Sequence, residues 1–201
     1  MRLKNIPPQQ LDARQSVLYK TLQESISAHL QGFVTARADG ALIGPFNILL
    51  HFPKLGIPVW DVFKALADQS TLSKQVREIT ILLTGARFAS IYELYAHERV
   101  AQHSGLSPAA VAALAAGERP RSLDDEGHLA FTVVSLLLRG GPMPVTTYRV
   151  AKEQFGEQGL AELACTIGCY TSIATLLNVF DVSVPDGELV DDASLDVRHG
   201  Q

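Results

Sequence analysis

The 201-residue sequence predicts an all-α fold, and three observations predict it. Apolar residues recur at three- and four-residue steps along most of the chain, the spacing that lays one face of a helix against a core. Serine, aspartate and proline stand where these segments begin, and glycine stands where they stop. Almost no stretch shows the strict period-two alternation of a half-buried strand.

Residues 14–31 read as the first helix, with Val17, Leu18, Leu22, Ile26 and Leu30 on one face and Lys20, Gln23 and Glu24 on the other. Residues 36–46 carry turn chemistry at Asp39-Gly40 and a stop at Gly44-Pro45. A short apolar piece runs from Phe46 to His51. Residues 55–69 read as helical after an interruption at Pro58.

Ser73 is placed to cap a helix that begins near Lys74, holds Glu78 in its early turns and runs to about Phe88. Another follows from Ser90 to about Ser104, ended by Gly105. Ser107-Pro108 restarts a helix with a cap and then proline at the first helical position, and Gly117 stops it. After a polar connector at 118–124, Asp124 or Asp125 caps a helix over 126–139, which Gly140-Gly141-Pro142 breaks. Residues 145–155 and 157–180 complete the helical set. The expected organisation is an N-terminal helical extension (1–35), a compact multi-helix domain (36–182) and an acidic, turn-rich C-terminal tail (183–201).

Bulk composition narrows the function classes. Hydrophobic residues make up 47% of the chain and the mean hydropathy is +0.13, a surplus that points to burial between subunits. The net charge of −4 and the lack of a Lys/Arg cluster argue against nucleic acid as a partner. No uninterrupted apolar run approaches the roughly 18 residues of a membrane span, and the N-terminus has no signal-peptide core. The expectation is a cytoplasmic protein without a membrane partner. Cys165 and Cys169 have neither CxxC nor zinc spacing and read as structural, reduced thiols.

The chemistry concentrates in Ser90-Ile-Tyr-Glu-Leu-Tyr-Ala-His97. On a helix, positions 90, 93 and 97 share a stripe, bringing together a hydroxyl, a carboxylate and an imidazole. His97 can exchange protons near neutral pH; its bland alternative is a satisfied structural histidine. Glu93 could accept a hydrogen bond from His97 across one turn or act as an acid itself, against the alternative of a solvated i,i+4 pair. Ser90 reads as a helix cap ahead of a nucleophile. Glu78, on one straight helix, would lie about 22 Å from Glu93; it reaches the site only if the chain folds back near Ala89 or another subunit supplies it. Tyr92 and Tyr95 could frame a planar ligand, His51 could line the same cavity, and Arg77 and Arg87 are candidates for gripping a substrate carboxylate. The spacing of Glu93 and His97 could also ligate a metal, but two ligands do not define a site, so neither metal nor cofactor is expected.

These residues carry a resemblance over roughly residues 40–182. Gly44-Pro45-Phe46 followed by Leu-Leu-His-Phe-Pro, Arg77-Glu78, Tyr92-Glu93 with His97, Gly105-Leu106-Ser107, the Ala-Leu-Ala-Ala-Gly close at 113–117 and Gly168-Cys169-Tyr170 occur in the order and spacing of one family. The chain resembles the carboxymuconolactone decarboxylase family, which also contains the alkyl hydroperoxidase D-like proteins. In that family's thiol-dependent branch a CxxC pair stands where this chain has Ser90 and Glu93; His97 and Glu78 match the branch's histidine and upstream glutamate. The resemblance is closer to the cysteine-free branch with a Tyr-Glu-x-x-x-His pattern. It implies an alkyl hydroperoxidase D-like fold, a homo-oligomer built from trimers, and a small-molecule substrate. The leading expectation is cofactor-free acid/base catalysis on a small carboxylated lactone or related ring compound. Alternatives are a non-catalytic oligomeric binding module and, third, peroxidase activity through Cys165 and Cys169.

Overall fold

Helix caps and apolar periodicity set the architecture. The computed structural model describes residues 1–185; within them a 3-10 turn, Pro8–Gln10, precedes eight α-helices. These are α1 (Ala13–His29), α2 (Gly44–His51), α3 (Pro53–Gln69), α4 (Lys74–Arg87), α5 (Ile91–His103), α6 (Pro108–Ala115), α7 (Asp125–Arg139) and α8 (Val145–Val179). The only extended pairing among the described residues is an isolated bridge between Ala36 and Leu42. The fold is all-α. Most of the expected acidic tail, residues 186–201, lies outside the described residues.

The caps follow the chemistry of unpaired helix-end amides. Asp12 and Gln15 form a reciprocal capping box at α1. Ser73, Ser107 and Asp124 each accept the amide three residues on, at 3.2, 3.2 and 2.8 Å; at α7 the cap is Asp124, not Asp125. Gly156, with φ 68° and ψ 175°, divides α8 into 145–155 and 157–179.

Two local expectations are corrected. Gly44-Pro45 does not stop a segment but opens α2, which takes in the apolar piece 46–51. Proline is tolerated there because first-turn amides have no intrahelical acceptor to lose. Gly44 itself adopts φ +64°, and a Cβ at that position would fall onto the Tyr92 ring. Pro58 likewise does not interrupt α3, which starts at Pro53 and runs through it; near the helix start a proline forfeits a single backbone bond.

Burial divides the interior into three clusters. Leu18, Leu22, Phe46, Leu49, Leu50 and Trp60 close α1, α2 and α3 on one another. Val76, Ile79, Leu82, Leu114, Phe131, Val134 and Leu163 form the core around α4, α6, α7 and α8. Between them Ile48, Tyr92, Tyr95, Ala96, Ile173 and Leu177 make a seam. By length and composition α8 is apolar enough to cross a membrane, but a third of its most apolar window is buried inside the fold, and it packs against α2, α3, α4, α5 and α7. Scattered threonines, a serine and glycines hide this apolar character from a search for uninterrupted runs.

Candidate active site

Helices α4 and α5 form a hairpin whose turn decides which polar groups meet. Ala89 holds φ 49°, a left-handed conformation that costs a non-glycine residue about 1 kcal/mol. The turn is fixed by Phe88 N–H to Thr84 O at 3.1 Å and Ser90 N–H to Gly85 O at 3.0 Å. The chain therefore doubles back on itself, and Glu78 on α4 lies beside His97 on α5. Gly85 lets the helices close: a Cβ there would sit 3.2 Å from Glu93 Oε1 and 3.1 Å from Leu94 Cδ2.

Glu78 and His97, from the same chain, form a buried pair. The distance from His97 Nδ1 to Glu78 Oε2 is 2.9 Å, with both side chains about nine-tenths buried. A carboxylate only accepts, so Nδ1 carries the hydrogen and donates it to Glu78. Tyr170 of α8 meets the imidazole edge to face, with ring centroids 5.1 Å apart. Burial first, and then the nearby Glu78 carboxylate, raise the Tyr170 phenol well above its ordinary pKa, so it stands as a neutral O–H group.

Glu93 does not bond His97, as the i,i+4 spacing suggested it could. Its carboxyl is 2% exposed and neither oxygen has a hydrogen-bond partner. Burial raises its pKa well above the carboxylate range, because an ion there would lose its hydration without compensation. The group is a neutral carboxylic acid. The hairpin geometry accounts for the difference: His97 turns its Nδ1 across to α4 rather than down its own helix.

Two cavities meet at His97. The first, about 100 Å³, is mostly apolar and is lined by Phe33, Phe46, Trp60, Phe63, Tyr92, Ile173 and Leu177 around Glu93 and His97. The second, about 360 Å³, is more polar and includes Lys74, Arg77, Glu78, His103 and Thr166. His29, Leu30, Phe63, Ala67, His97 and Tyr170 line both. The first three α-helices form one wall of the apolar cavity and α5 and α8 the other, so it opens along the seam. Residues 25–33, from the N-terminal extension, contribute Ser25, His29, Leu30 and Phe33 to it.

The remaining sequence candidates separate. Tyr92 lines the apolar cavity and donates its hydroxyl hydrogen to Val34 O at 3.2 Å; Tyr95 lines neither cavity and accepts the Val34 amide at 3.0 Å. Ser90 occupies the cap position of α5 but makes no side-chain cap; its hydroxyl is buried without a partner and lines neither cavity. Arg77 lies in the polar cavity, whereas Arg87 is exposed and rests over Phe88, 5.7 Å from the ring centroid. His51 lines neither of these cavities, its Nε2 bonded to Lys4 O at 2.8 Å. Cys165 is exposed and Cys169 half-buried; burial and the neighbouring thiol raise the Cys169 pKa, and neither lines a cavity. No group of three or more metal-ligating side chains converges among the described residues.

Phe63, Trp60 and Lys74 carry no site signal in the sequence, and Tyr170 enters only within the Gly168-Cys169-Tyr170 stretch of the family resemblance, with no role of its own. The others look like ordinary core or surface positions until α3 and α4 are placed.

Neither a protein-family model nor a curated protein sequence matches the chain. Solved structures do. An alkylhydroperoxidase AhpD core, an uncharacterized peroxidase-related protein from Ralstonia eutropha JMP134, superposes with a TM-score of 0.76 at 14% identity, covering 100% of this chain and 97% of that one. The debrominase Bmp8 without ligand gives a TM-score of 0.68 at 10% identity, with 93% of each chain covered. A cysteine-to-alanine variant of Bmp8 in complex with 2,3,4-tribromopyrrole gives 0.65 at 10%, covering 92% of this chain and 90% of that one. At such identities the likeness is one of architecture: this chain has the all-α fold of the alkyl hydroperoxidase D-like proteins.

Proposed function

We propose that the protein is a cofactor-free acid/base enzyme acting on a small ring compound of the carboxylated-lactone type, with decarboxylation as its reaction. The observation that carries this reading is His97, bonded through Nδ1 to Glu78 at 2.9 Å while lining an apolar cavity that holds an unpartnered, neutral Glu93. Two titratable groups with opposed environments are the usual setting for proton transfer.

In the reaction, the bond from the ring to its carboxylate breaks and carbon dioxide leaves. The electron pair passes into the ring's conjugated carbonyl, and a proton returns to the ring carbon. Glu93 donates a hydrogen bond to the oxygen where negative charge develops; its apolar surroundings strengthen that bond. His97 takes a proton from solvent at Nε2 and delivers it to the ring carbon, with Glu78 holding Nδ1–H and the ring orientation. Tyr170 supports the imidazole edge. A cavity of about 150 Å³ accommodates benzene, so one of about 100 Å³ suits a five-membered ring.

Ser90 and Glu93 stand where the resemblance places the two thiols of the peroxidase branch, and this favours proton chemistry over peroxide reduction. The same departure keeps a binding module as the second reading. Carbon dioxide release from 4-carboxymuconolactone, measured for wild type and His97→Ala, separates them. The expected result is release by wild type and a loss of about 100-fold or more in the variant, with an unchanged circular dichroism spectrum. A wild type that binds the lactone but releases no carbon dioxide would leave the binding module.

A further inference from the structure

We infer that Tyr170 is a second donor to the substrate: with Glu93 it forms a two-point seat for an oxygen that becomes negatively charged, so the apolar cavity selects rings that pass through an enolate. The role of Glu93 rests on the acid/base reading of this site, while the donor on Tyr170 stands on the packing of α8.

The other tyrosines of the interior use their hydroxyls within the fold. Tyr19 donates to Gly40 O at 2.8 Å, Tyr92 donates to Val34 O at 3.2 Å, and Tyr95 accepts the Val34 amide at 3.0 Å. Tyr170 is the exception. It is half-buried and lines both cavities, yet among the described residues its hydroxyl meets no hydrogen-bond partner. A tyrosine hydroxyl in the interior ordinarily finds one, so a free one beside a cavity is placed for a ligand. The ring is held on two sides. Phe63 meets it edge to face at 5.2 Å and 74°, and His97 does so at 5.1 Å and 86°.

Glu93 completes the seat from α5. It lines the same apolar cavity, its oxygens are unpartnered, and burial keeps its carboxyl protonated. Burial also keeps the phenol of Tyr170 protonated, so both groups offer an O–H. A protonated carboxyl and a phenol in apolar surroundings together stabilise an enolate oxygen. Hydrogen bonds from neutral donors strengthen as charge builds on the acceptor, whereas a fixed cation would already grip the ground-state carboxylate. As the bond to the departing carboxylate breaks, its electron pair moves onto the ring carbonyl oxygen. The two donors hold that charge until the proton returning to carbon discharges it. The substrate class is a planar ring whose carbonyl is conjugated with the carbon that loses carbon dioxide.

The test is binding without turnover, by titration calorimetry with two five-membered lactones at neutral pH. Tetronic acid is already ionised there as its enolate; furan-2(5H)-one is the same ring without that charge. Wild type is expected to prefer the enolate by about tenfold or more. Tyr170→Phe keeps both ring contacts and should lower enolate affinity by about tenfold, with furanone affinity changed by less than about threefold. If that variant does not fold, wild type labelled with carbon-13 at tyrosine Cζ carries the test: the Tyr170 resonance should shift on adding the enolate and far less on adding the furanone. Equal affinities in wild type, no saturable binding of either lactone, an unmoved Tyr170 resonance, or a preference that survives in Tyr170→Phe would overturn the seat. Survival there with loss in Lys64→Met would assign the anion to the ammonium that lines the same cavity. A preference lost in Tyr170→Phe, in a protein that releases no carbon dioxide from 4-carboxymuconolactone, would instead sink the decarboxylase reading alone.

Discussion

At the scale of single residues, Glu93 is the unusual investment of the fold. A carboxyl is buried beside a mostly apolar cavity with both oxygens unpartnered, and burial raises its pKa. The linkage has a definite sign. The unfolded chain ionises Glu93 as pH rises above the ordinary carboxyl range, whereas the folded chain keeps it protonated. The fold is therefore at no disadvantage below that range and loses stability as pH rises toward the folded-state pKa. Glu93→Gln removes the titration while keeping shape and a donor. Its melting temperature should exceed that of wild type by more at about pH 8 than at about pH 4, and thermal denaturation at the two pH values checks this. An equal difference at both would mean that Glu93 is charged in the fold. The carboxyl and the imidazole were legible from their spacing, but their partnership was not: only the side-to-side packing of α4 and α5 sends His97 to Glu78.

At the scale of elements, the connection from α3 to α4 positions Arg77 and Glu78, and Glu162 of α8 anchors it. Glu162 is 6% exposed and accepts from Ser70 Oγ at 2.8 Å, Thr71 N at 2.9 Å, Thr71 Oγ1 at 3.2 Å and Gln158 Nε2 at 3.0 Å. Burial raises its pKa, but these hydrogen bonds outweigh burial and the net shift is downward. Its contribution is thus present above the ordinary carboxyl pKa and is lost as pH falls through the lowered one. Glu162→Ala strands several donors and should lower stability by about 2–4 kcal/mol at neutral pH, with the deficit shrinking in acid; urea titrations across pH measure it. Element positions were mostly legible because caps such as Ser73, Ser107 and Asp124 announce themselves locally. The Glu162 anchor was not, since it joins residues some ninety positions apart. Gly44-Pro45 misled for a related reason: glycine and proline mark an end or a beginning, and the Tyr92 ring above Gly44 settles which.

At the scale of the whole molecule, the cavities lie where two helical bodies meet, so neither body alone encloses a ligand. The α1–α3 layer supplies Phe33, Trp60 and Phe63, and α5 and α8 supply the acid/base groups. This division explains why the site was only half visible in the sequence: Glu93 and His97 share one short motif, while the apolar half is scattered among core-like positions. The outward face of α8 remains small and uncharged at Ala161, Ala164, Cys165, Gly168, Ser172 and Thr175, all exposed. We propose that copies of the chain associate through this face, as a trimer or a multiple of one. Light scattering should return the mass of three chains or a multiple, and Gly168→Arg should lower it. A monomeric mass for wild type would refute the assembly.

The tight reversal at Ala89 has a consequence for how this fold acquires new chemistries. Inserting or deleting one residue between Arg87 and Ile91 would rotate α5 by about 100° relative to α4, carrying His97 off Glu78 and Glu93 out of its cavity. Exchanging side chains at 90 and 93 leaves the register untouched. The hairpin thus acts as a socket of fixed length. Its evolutionary freedom lies in substitution, which changes the groups at those two positions without rebuilding the frame that holds the histidine.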